Sequence, residues 1–255
     1  MVKKVLMSLM FAMCALSVSA GTVIFDGSSP EAWADNRVSV QDGLTVAQLG
    51  FRPLFSKEAV PVIRGRKYTV SGEFRVIGKP QGRATLYFGI TPFTADGQEI
   101  THAAVATAEP QLITTLAADA KKGDKVLILN NAANWKFLAH GRLAFNAKEN
   151  RSDLPNMDLS PFFDMNKIKV REDGSVEVAL KQPLAKDYPA GTKVRQHRSG
   201  NAFVYAGISD KSDEWVSFSQ TFNNFYIGTA KIKLTIRLLQ RQWPVEIRNI
   251  RVIAE

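Results

Sequence analysis

Residues that commonly carry enzyme chemistry are few in this chain. It has three histidines, His102, His140 and His197, and one cysteine, Cys14. It contains no HExxH metal motif, no G-x-S-x-G nucleophile turn and no phosphate-binding G-x-x-x-x-G-K-[ST] loop. Zinc hydrolysis, thiol chemistry, acyl transfer and nucleotide hydrolysis therefore lack their usual parts. We expect no cofactor and no metal ion.

Glycoside cleavage has a weaker requirement, because it needs only two carboxylates about 5 to 10 Å apart. The chain has 24 aspartates and glutamates, so some such pair arises by chance. A polysaccharide hydrolase or lyase therefore stays open as a less favoured alternative, and we expect a protein without an active site.

Saccharide binding without catalysis needs an exposed aromatic ring that covers a sugar face and a few polar groups that fix the hydroxyls. Trp33 and Trp243 lie close to Pro30 and Pro244 in loop-like surroundings. In such surroundings, the indole ring either covers the end of the core or forms an exposed platform for a sugar. The remaining aromatic candidates are Tyr87, Trp135, Tyr205, Trp215 and Tyr226.

Tyr87 has the clearest pattern among these tyrosines. It is out of phase with Leu86, Phe88 and Ile90, which predicts that its ring faces the opposite side of its sheet. Cross-strand pairing on a solvated face is an equally good explanation of the same pattern.

Arg83, Gln98 and Arg248 are the polar groups that we expect beside the binding rings. Trp215 and Phe218 begin a segment with a core pattern, so we expect both of them to be buried. The ligand-binding set predicted from the sequence is Tyr87, Trp33, Trp243, Arg83, Gln98 and Arg248.

Basic residues give a second hypothesis. Lys231, Lys233 and Arg237 share one phase of a strand, and the chain has a net charge of +9 at pH 7. Such a face would attract an anionic glycan or a lipopolysaccharide. We favour the simpler explanation that these charges keep a sheet soluble and its edges unpaired. Nucleic acid is not an expected partner, because no base-stacking motif accompanies the charge.

Residues 153–158, with the sequence DLPNMD, form the densest polar turn of the middle stretch. Asp153, Asn156 and Asp158 have the oxygen atoms that calcium prefers. Aspartate, proline and asparagine are also the residues that an ordinary turn requires, and we favour the turn.

The elements that must position these residues are strands. No window of eleven residues after the first 20 keeps the apolar period of a helix without interruption. Apolar and polar residues alternate along 68–76, 86–90 and 231–238, as in half-buried antiparallel strands. In the last strand the phase changes near Arg248 and Asn249, which predicts a bulge.

The strand patterns become shorter between residues 112 and 199, where turn clusters separate them. Asp173 and Gly174 lie between two alternating segments and predict a hairpin. The longer strand patterns stop near residue 100 and resume near residue 203, so we interpret the middle stretch as an insertion between two strands of one sheet structure.

Residues 1–20 have the features of a cleaved secretory signal. Lys3 and Lys4 precede an apolar run, and Val18-Ser-Ala20 has the small residues of a cleavage site. The apolar run is shorter than the about 20 residues that cross a bilayer. We therefore expect a secreted or periplasmic protein that does not span the membrane after cleavage.

Four segments resemble the CenC-type carbohydrate-binding modules, which are galactose-binding-like jelly rolls. They are RKYTVSGEFRV at 66–76, ATLYFGI at 84–90, EWVSFSQTF at 214–222 and VEIRNIRV at 245–252. This resemblance implies a jelly-roll sandwich and saccharide binding on a sheet face. The family often has an aspartate before the asparagine of its last strand, where it helps to hold a structural calcium. Arg248 stands at that position here, so we do not expect the metal.

The middle stretch is similar to a small all-β module of phage-tail and surface-exposed proteins, in the segments 123–128, 176–184 and 188–194. That resemblance implies architecture and no chemistry. An elaborate loop of the sandwich would explain the same residues equally well.

We therefore predict an all-β protein, a jelly-roll β-sandwich with a small β-rich insertion. Its parts would be a signal peptide at 1–20, the sandwich at 21–111 and 200–255, and the inserted domain at 112–199. The leading functional hypothesis is an exported, non-catalytic protein that binds carbohydrate or polysaccharide. The alternative is a structural or adhesive cell-envelope protein that binds another protein.

Overall fold

The computed structural model describes residues 21–42, 44–49, 52–78, 82–105, 113–198, 200, 202–239 and 245–255. The predicted signal peptide at 1–20 and Trp243 lie outside these residues, and the predictions about them are not tested by the fold. Among the described residues, no helix is long and apolar enough to cross a membrane.

Strands form nearly all of the regular structure that the described residues contain. The first group is β1 (Thr22–Asp26), β2 (Val38–Gln41), β3 (Leu44–Leu49), β4 (Leu54–Phe55), β5 (Val60–Pro61), β6 (Tyr68–Val76) and β7 (Ala84–Phe93), followed by a short helix α1 (His102–Val105). The middle group is β8 (Ile113–Thr115), β9 (Val126–Leu129), β10 (Gly141–Phe145), β11 (Asp158–Leu159), β12 (Phe163–Val170), β13 (Val176–Leu180) and β14 (Lys193–Arg198). The last group is β15 (Val204–Asp210), β16 (Val216–Phe222), β17 (Lys231–Leu238) and β18 (Val245–Ala254).

The first and last groups build two antiparallel sheets. Sheet I has the order β16-β6-β18-β3-β2, with β1 also paired to β18. Sheet II has the order β15-β7-β17-β4, with β5 also paired to β17. Along the chain, β15 to β18 alternate between the two sheets, so each of these four strands pairs with strands that are distant in sequence. This arrangement is the predicted jelly-roll β-sandwich.

Apolar side chains from both sheets fill the space between them. Along β6 every second residue is buried, from Tyr68 to Val76. Phe88 of sheet II and Phe218 of sheet I have ring centroids 4.3 Å apart, so the two inner faces are in contact. The alternation predicted for β6, β7 and β17 is confirmed, as is the burial of Phe218.

The predicted bulge in the last strand is also confirmed. The register between β18 and β6 shifts between Arg248 and Arg251, and Asn249 has a φ of 53°. The extra residue changes the phase of the strand, so that Ile247 and Ile250 both point into the core.

The middle group of strands forms two smaller sheets, β11-β10-β14-β8 and β12-β13-β9. Antiparallel β12 and β13 are joined at Asp173 and Gly174, which confirms the predicted hairpin. Gly174 has a φ of 78°, a value that glycine adopts without strain.

The apolar residues separate into two clusters. Members of one come from residues 33–90 and 218–254, and members of the other come from residues 116–194. The strands β7 and β15, which precede and follow the middle stretch, are hydrogen-bonded neighbours with Ile90 opposite Val204. A segment inserted between β7 and β15 therefore begins and ends at adjacent points of the sandwich. These observations support our proposal that 112–199 is a separate small domain inserted into 21–111 and 200–255.

A buried ion pair holds the polar turn at residues 153–158. Arg195 is 3% exposed, and it donates to the Asp153 carboxylate at 2.6 Å and to the Lys148 carbonyl at 2.8 Å. Its Nε donates to Nε2 of His197 at 2.9 Å. Burial alone would raise the pKa of Asp153, but the hydrogen bond and charge of Arg195 outweigh it and keep the pKa below 3.8.

The second carboxylate of that turn is also occupied. Asp158 lies 2.7 Å from the Lys186 ammonium and accepts a hydrogen bond from the Tyr188 hydroxyl at 2.9 Å. A calcium ion at this turn would have to displace both Lys186 and the Arg195 pair of Asp153, so the geometry favours the turn interpretation.

Replacing Asp153 with asparagine leaves the Arg195 charge buried without its counter-ion. We expect the free energy of unfolding at pH 7 to fall by about 3 to 5 kcal/mol, measured by urea denaturation. Because the folded-state pKa of Asp153 is depressed, the pair stabilises the wild type above pH 3.8 and stops doing so as the pH falls through the folded-state value. The difference in the free energy of unfolding between the wild type and the variant should therefore become smaller below about pH 4.

The control for this experiment is Glu149→Gln, which removes an exposed partner of Lys193. Exposed ion pairs contribute about 1 kcal/mol or less to the free energy of unfolding. Equal losses in the two variants would contradict a structural role for the buried pair.

Candidate ligand-binding face

The outer face of sheet II presents the alternate residues of β7, β15 and β17 that do not enter the core. Tyr87 is one of them, because its neighbours Leu86 and Phe88 are buried. In the strand register, Tyr87 lies between Gly207 of β15 and Arg237 of β17.

Three aromatic side chains contact one another on this face, and we call Tyr87, Tyr205 and Phe203 the aromatic row. The rings of Tyr87 and Tyr205 are tilted by 44° to each other, and those of Tyr205 and Phe203 are stacked with an angle of 22°. The ring centroids of Tyr87 and Tyr205 are 4.6 Å apart, and those of Tyr205 and Phe203 are 5.1 Å apart. Tyr205 is 47% exposed, while Tyr87 and Phe203 are partly exposed. The row is therefore an apolar strip that is open to solvent and held by ring contacts.

Gly207 allows the ring of Tyr87 to lie against β15. A Cβ atom at position 207 would be 2.7 Å from Cε1 of Tyr87. Any side chain there would have to push the ring away from the sheet. The orientation of Tyr87 thus depends on a residue of the neighbouring strand.

Polar groups flank the aromatic row at one end of the face. The hydroxyls of Thr85 and Ser209 hydrogen bond at 2.8 Å, and Arg83 is exposed just before β7. Toward the middle of the face, Thr91 and Thr235 share a 2.7 Å hydrogen bond and are buried, with Thr235 on the same rung of the sheet as Tyr205. The accessible part of the face is therefore the end that holds Tyr87.

The sequence-predicted polar residues separate in the structure. Arg83 lies at the same end of β7 as Tyr87, whereas Gln98 follows the turn after Phe93 at the far end of β7. Six residues of extended strand separate Tyr87 from Phe93, which is about 20 Å. Gln98 is exposed but does not lie beside Tyr87, so the structure does not bring these two predicted residues together, and a role of Gln98 in ligand binding stays a prediction.

Of the two roles considered for Trp33, the structure shows that the ring covers the end of the core, so its predicted place among the ligand-binding residues is wrong. Its side chain is 5% exposed and belongs to the core of the sandwich. The indole N–H donates to the Gly27 carbonyl at 3.3 Å, and the ring contacts Phe25 edge-on at 5.2 Å. The short turn at Pro30–Ala32 folds the chain so that the indole closes one end of the core.

Arg248 lies on the other sheet. Its guanidinium donates to the Glu73 carboxylate at 2.8 Å and lies 4.0 Å from the centre of the Trp215 ring. Arg75 lies 4.7 Å from the same ring. Trp215 is half-buried on the outer face of sheet I, so the prediction that it is a core residue is wrong, and Arg248 cannot assist the aromatic row.

Charged groups on sheet I are arranged as neutral pairs. Besides the Arg248 bond to Glu73, Arg75 pairs with Glu246 at 2.7 Å. The hydrogen bond from Arg248 lowers the pKa of Glu73 despite partial burial. These pairs hold the guanidiniums around Trp215, which leaves little free aromatic surface there.

The described residues contain no cluster of three or more His, Cys, Asp or Glu side chains suited to a metal ion. His102 stacks on Tyr226 with ring centroids 6.2 Å apart, and burial followed by the charge of Arg198 lowers its pKa. A glycosidase acid needs a raised carboxyl pKa. Where the described carboxyl groups depart from their ordinary pKa, hydrogen bonds from neighbouring groups have lowered it, as at Asp35 and Asp173.

Comparison with known proteins adds one structural likeness. No family model and no curated protein sequence matches the chain. Among solved structures, it is similar to the CBM22-1 xylan-binding domain from Paenibacillus barcinonensis Xyn10C, at 7% sequence identity and a TM-score of 0.35. The likeness covers 92% of this chain and 96% of that domain. The outer face of sheet II is a candidate binding face on the geometry of this chain alone.

The different positions of Trp33 and Tyr205 predict different effects of truncation. Trp33→Ala removes a buried ring and should lower the free energy of unfolding by about 3 to 5 kcal/mol. Tyr205→Ala removes a ring that is 47% exposed and should cost clearly less. Urea denaturation followed by circular dichroism measures both. A variant at Trp33 as stable as the wild type would contradict its place in the core.

Proposed function

We propose that this is an exported, non-catalytic carbohydrate-binding protein and that a saccharide chain lies on the outer face of sheet II. The observation that carries the proposal is the aromatic row, in which Tyr87 and Tyr205 lie 4.6 Å apart on an open sheet face. Export rests on the signal-like character of residues 1–20.

Aromatic rings on a flat sheet suit sugars because a pyranose has an apolar face of C–H groups and a rim of hydroxyls. The three rings of the aromatic row, with centroid spacings of 4.6 and 5.1 Å, offer a longer contact than a single ring does, which favours a chain over a monosaccharide. Covering such rings contributes about 1 to 3 kcal/mol each. After the entropy cost of association, binding in the micromolar to millimolar range follows.

Polar groups at the Tyr87 end are suited to the hydroxyl rim. Arg237 is the cross-strand neighbour of Tyr87, and Arg83 is exposed beside the start of β7. The exposed hydroxyl pair of Thr85 and Ser209 can accept and donate further hydrogen bonds. Stacking on the rings and hydrogen bonding at their edge together define one orientation of the ligand.

Replacing Tyr87 or Tyr205 with alanine should weaken retention in affinity gels that contain the bound polysaccharide. We expect about a fivefold or greater loss of affinity for each variant, because each ring contributes about 1 to 3 kcal/mol. Trp215→Ala is the matched control, because it removes an aromatic ring from the outer face of sheet I. Its retention should remain that of the wild type.

Two results would contradict the proposal. One is a panel of neutral and acidic polysaccharides in which none retards the wild-type protein. The other is retention that survives both tyrosine replacements. Release of reducing sugar by the purified protein would instead identify a hydrolase, and retention only on a protein ligand would favour an adhesive role.

Gly207→Val tests the face without removing an aromatic residue. Its side chain occupies the space where the ring of Tyr87 lies, so the ring must turn away from the sheet. We expect weaker retention than in Ser219→Val, which places the same side chain at an exposed position of β16 on sheet I. The near-ultraviolet circular dichroism of the tyrosines should change as well. Unchanged retention and an unchanged spectrum would show that the orientation of Tyr87 does not matter.

A further inference from the structure

We infer that the sandwich has a second saccharide site, a cleft at one end that takes one or two sugar units of an uncharged glycan. Its lining comes from two loops, residues 62–65 between β5 and β6 and residues 223–229 between β16 and β17. We call this site the end cleft. It goes beyond the proposed function, because none of its lining residues belongs to the outer face of sheet II.

The end cleft has the size of a small-molecule site. Its volume is about 570 Å³, and small-molecule sites in proteins have about 300 to 1,000 Å³. This space suits a short saccharide, whereas the aromatic row is an open strip that suits a longer chain. The end cleft would therefore bind the end of a glycan, and the row an internal segment.

The buried residue Tyr68 holds both loops of the cleft. Its hydroxyl accepts a hydrogen bond from the backbone N–H of Ile63 at 2.7 Å, and its ring contacts Phe225 edge-on with centroids 5.4 Å apart. A further bond, from the Val62 N–H to the Ala230 carbonyl at 2.9 Å, joins the two chain segments directly. The fold therefore forms the cleft before a ligand arrives, which lowers the entropy cost of binding.

Two consecutive asparagines supply polar groups to the cleft. Asn223 and Asn224 are exposed, and their amide groups make no hydrogen bond to another described residue. Each amide has an acceptor oxygen and two N–H donors. A sugar hydroxyl also donates and accepts, so adjacent hydroxyls can pair with an amide in both directions. The asparagines are therefore suited to the hydroxyl rim of a sugar.

The other lining residues favour an uncharged ligand with apolar faces. Phe225 and Ile227 supply apolar surface, and Ile227 is 51% exposed. Arg64 is the single charged residue among the described residues that line the cleft. Its guanidinium can donate to a hydroxyl or a ring oxygen, and the lining has no second charge that would select an ionised ligand. A pyranose has the matching combination of C–H faces and hydroxyls.

The middle stretch contacts the sandwich beside the end cleft. A Cβ atom at Gly228 would be 2.6 Å from Cδ of Pro155, so the loop 223–229 lies directly against the polar turn 153–158. On the same loop, the ring of Tyr226 stacks on His102 with centroids 6.2 Å apart. Small-molecule sites are common where two parts of a protein meet. These contacts support one wall of the cleft from outside.

The end cleft is separate from the aromatic row. It lies beside the Phe93 end of β7, because Lys231 at the start of β17 is opposite Phe93. Tyr87 is six residues of extended strand away, which is about 20 Å. Phe203 precedes β15, which is three strands across the sheet from β5, or about 14 Å. A short saccharide can therefore occupy one site at a time, whereas one polysaccharide molecule can bind both and gain avidity.

Two-dimensional amide NMR of the isotopically labelled protein tests the inference. The probes are the monosaccharides glucose, galactose, mannose, xylose and N-acetylglucosamine and the disaccharides cellobiose, maltose and lactose. We expect at least one of them to perturb the backbone signals of residues 62–65 and 223–229. The side-chain amide signals of Asn223 and Asn224 should shift in the same titration, with an affinity in the millimolar range.

The test variant is Asn223→Ala/Asn224→Ala, which removes both amides from the cleft. The matched control is Asn134→Ala/Asn166→Ala, which removes two exposed amides from the middle stretch. Loss of the hydrogen bonds should weaken sugar binding at the cleft about fivefold or more, and the control should bind as the wild type does. Tyr87→Ala should also leave binding at the cleft unchanged, because the row is a separate site.

The inference fails if none of these sugars perturbs the end cleft, and the proposed function still stands if a polysaccharide is retained through Tyr87 and Tyr205. It also fails if the sugars perturb only residues 85–89 and 205–209, or if the two double variants lose affinity alike. Loss of cleft binding in Tyr87→Ala would show that the two places form one site, which overturns the inference as well. If no sugar and no polysaccharide binds, both the inference and the proposed function fail.

Discussion

The apolar contact between the two sheets is the interaction on which the rest of the structure depends. Phe88 and Phe218 meet across it, and the strands that supply them can bury only every second residue. Tyr87 faces outward because Leu86 and Phe88 must face inward. The outward position of Tyr87 on the proposed binding face is therefore a consequence of core formation, and a ligand would meet a surface already formed by the fold. Such preorganisation lowers the entropy cost of binding, which matters when each ring contributes little.

Periodicity predicted from the sequence the features that depend on single strands. It identified the long strands, the hairpin at Gly174, the bulge at Asn249 and the outward direction of Tyr87. It failed for residues whose positions depend on pairing between segments that are distant in sequence. Arg248 belongs to a strand that pairs with β6, so it lies on the opposite sheet from Tyr87. Tyr205 joins Tyr87 only through the register of β15 with β7, which no local pattern encodes.

Local sequence patterns also could not predict which single aromatic residues are buried. A turn rich in proline predicts that Trp33 lies outside a strand, but it cannot show that the turn folds back over the core. The prediction that Trp215 is buried in the core failed in the opposite direction. Trp215 lies just before β16 with its side chain on the outer face of sheet I, where Arg75 and Arg248 cover it. In both cases the contacts come from segments far away in the sequence. The middle stretch shows the same limit, since its Arg195 pair with Asp153 unites distant strand and turn residues.

The claim that a saccharide lies along the outer face of sheet II is tested most directly by amide chemical-shift mapping. A bound polysaccharide or oligosaccharide is titrated into isotopically labelled protein, and the perturbed backbone signals are assigned. The account predicts that they cluster at residues 85–89, 205–209 and 235–237, which are neighbours only in the folded sheet. Perturbations centred on residues 71–75 and 215–219 of sheet I, or confined to the middle stretch, would contradict it.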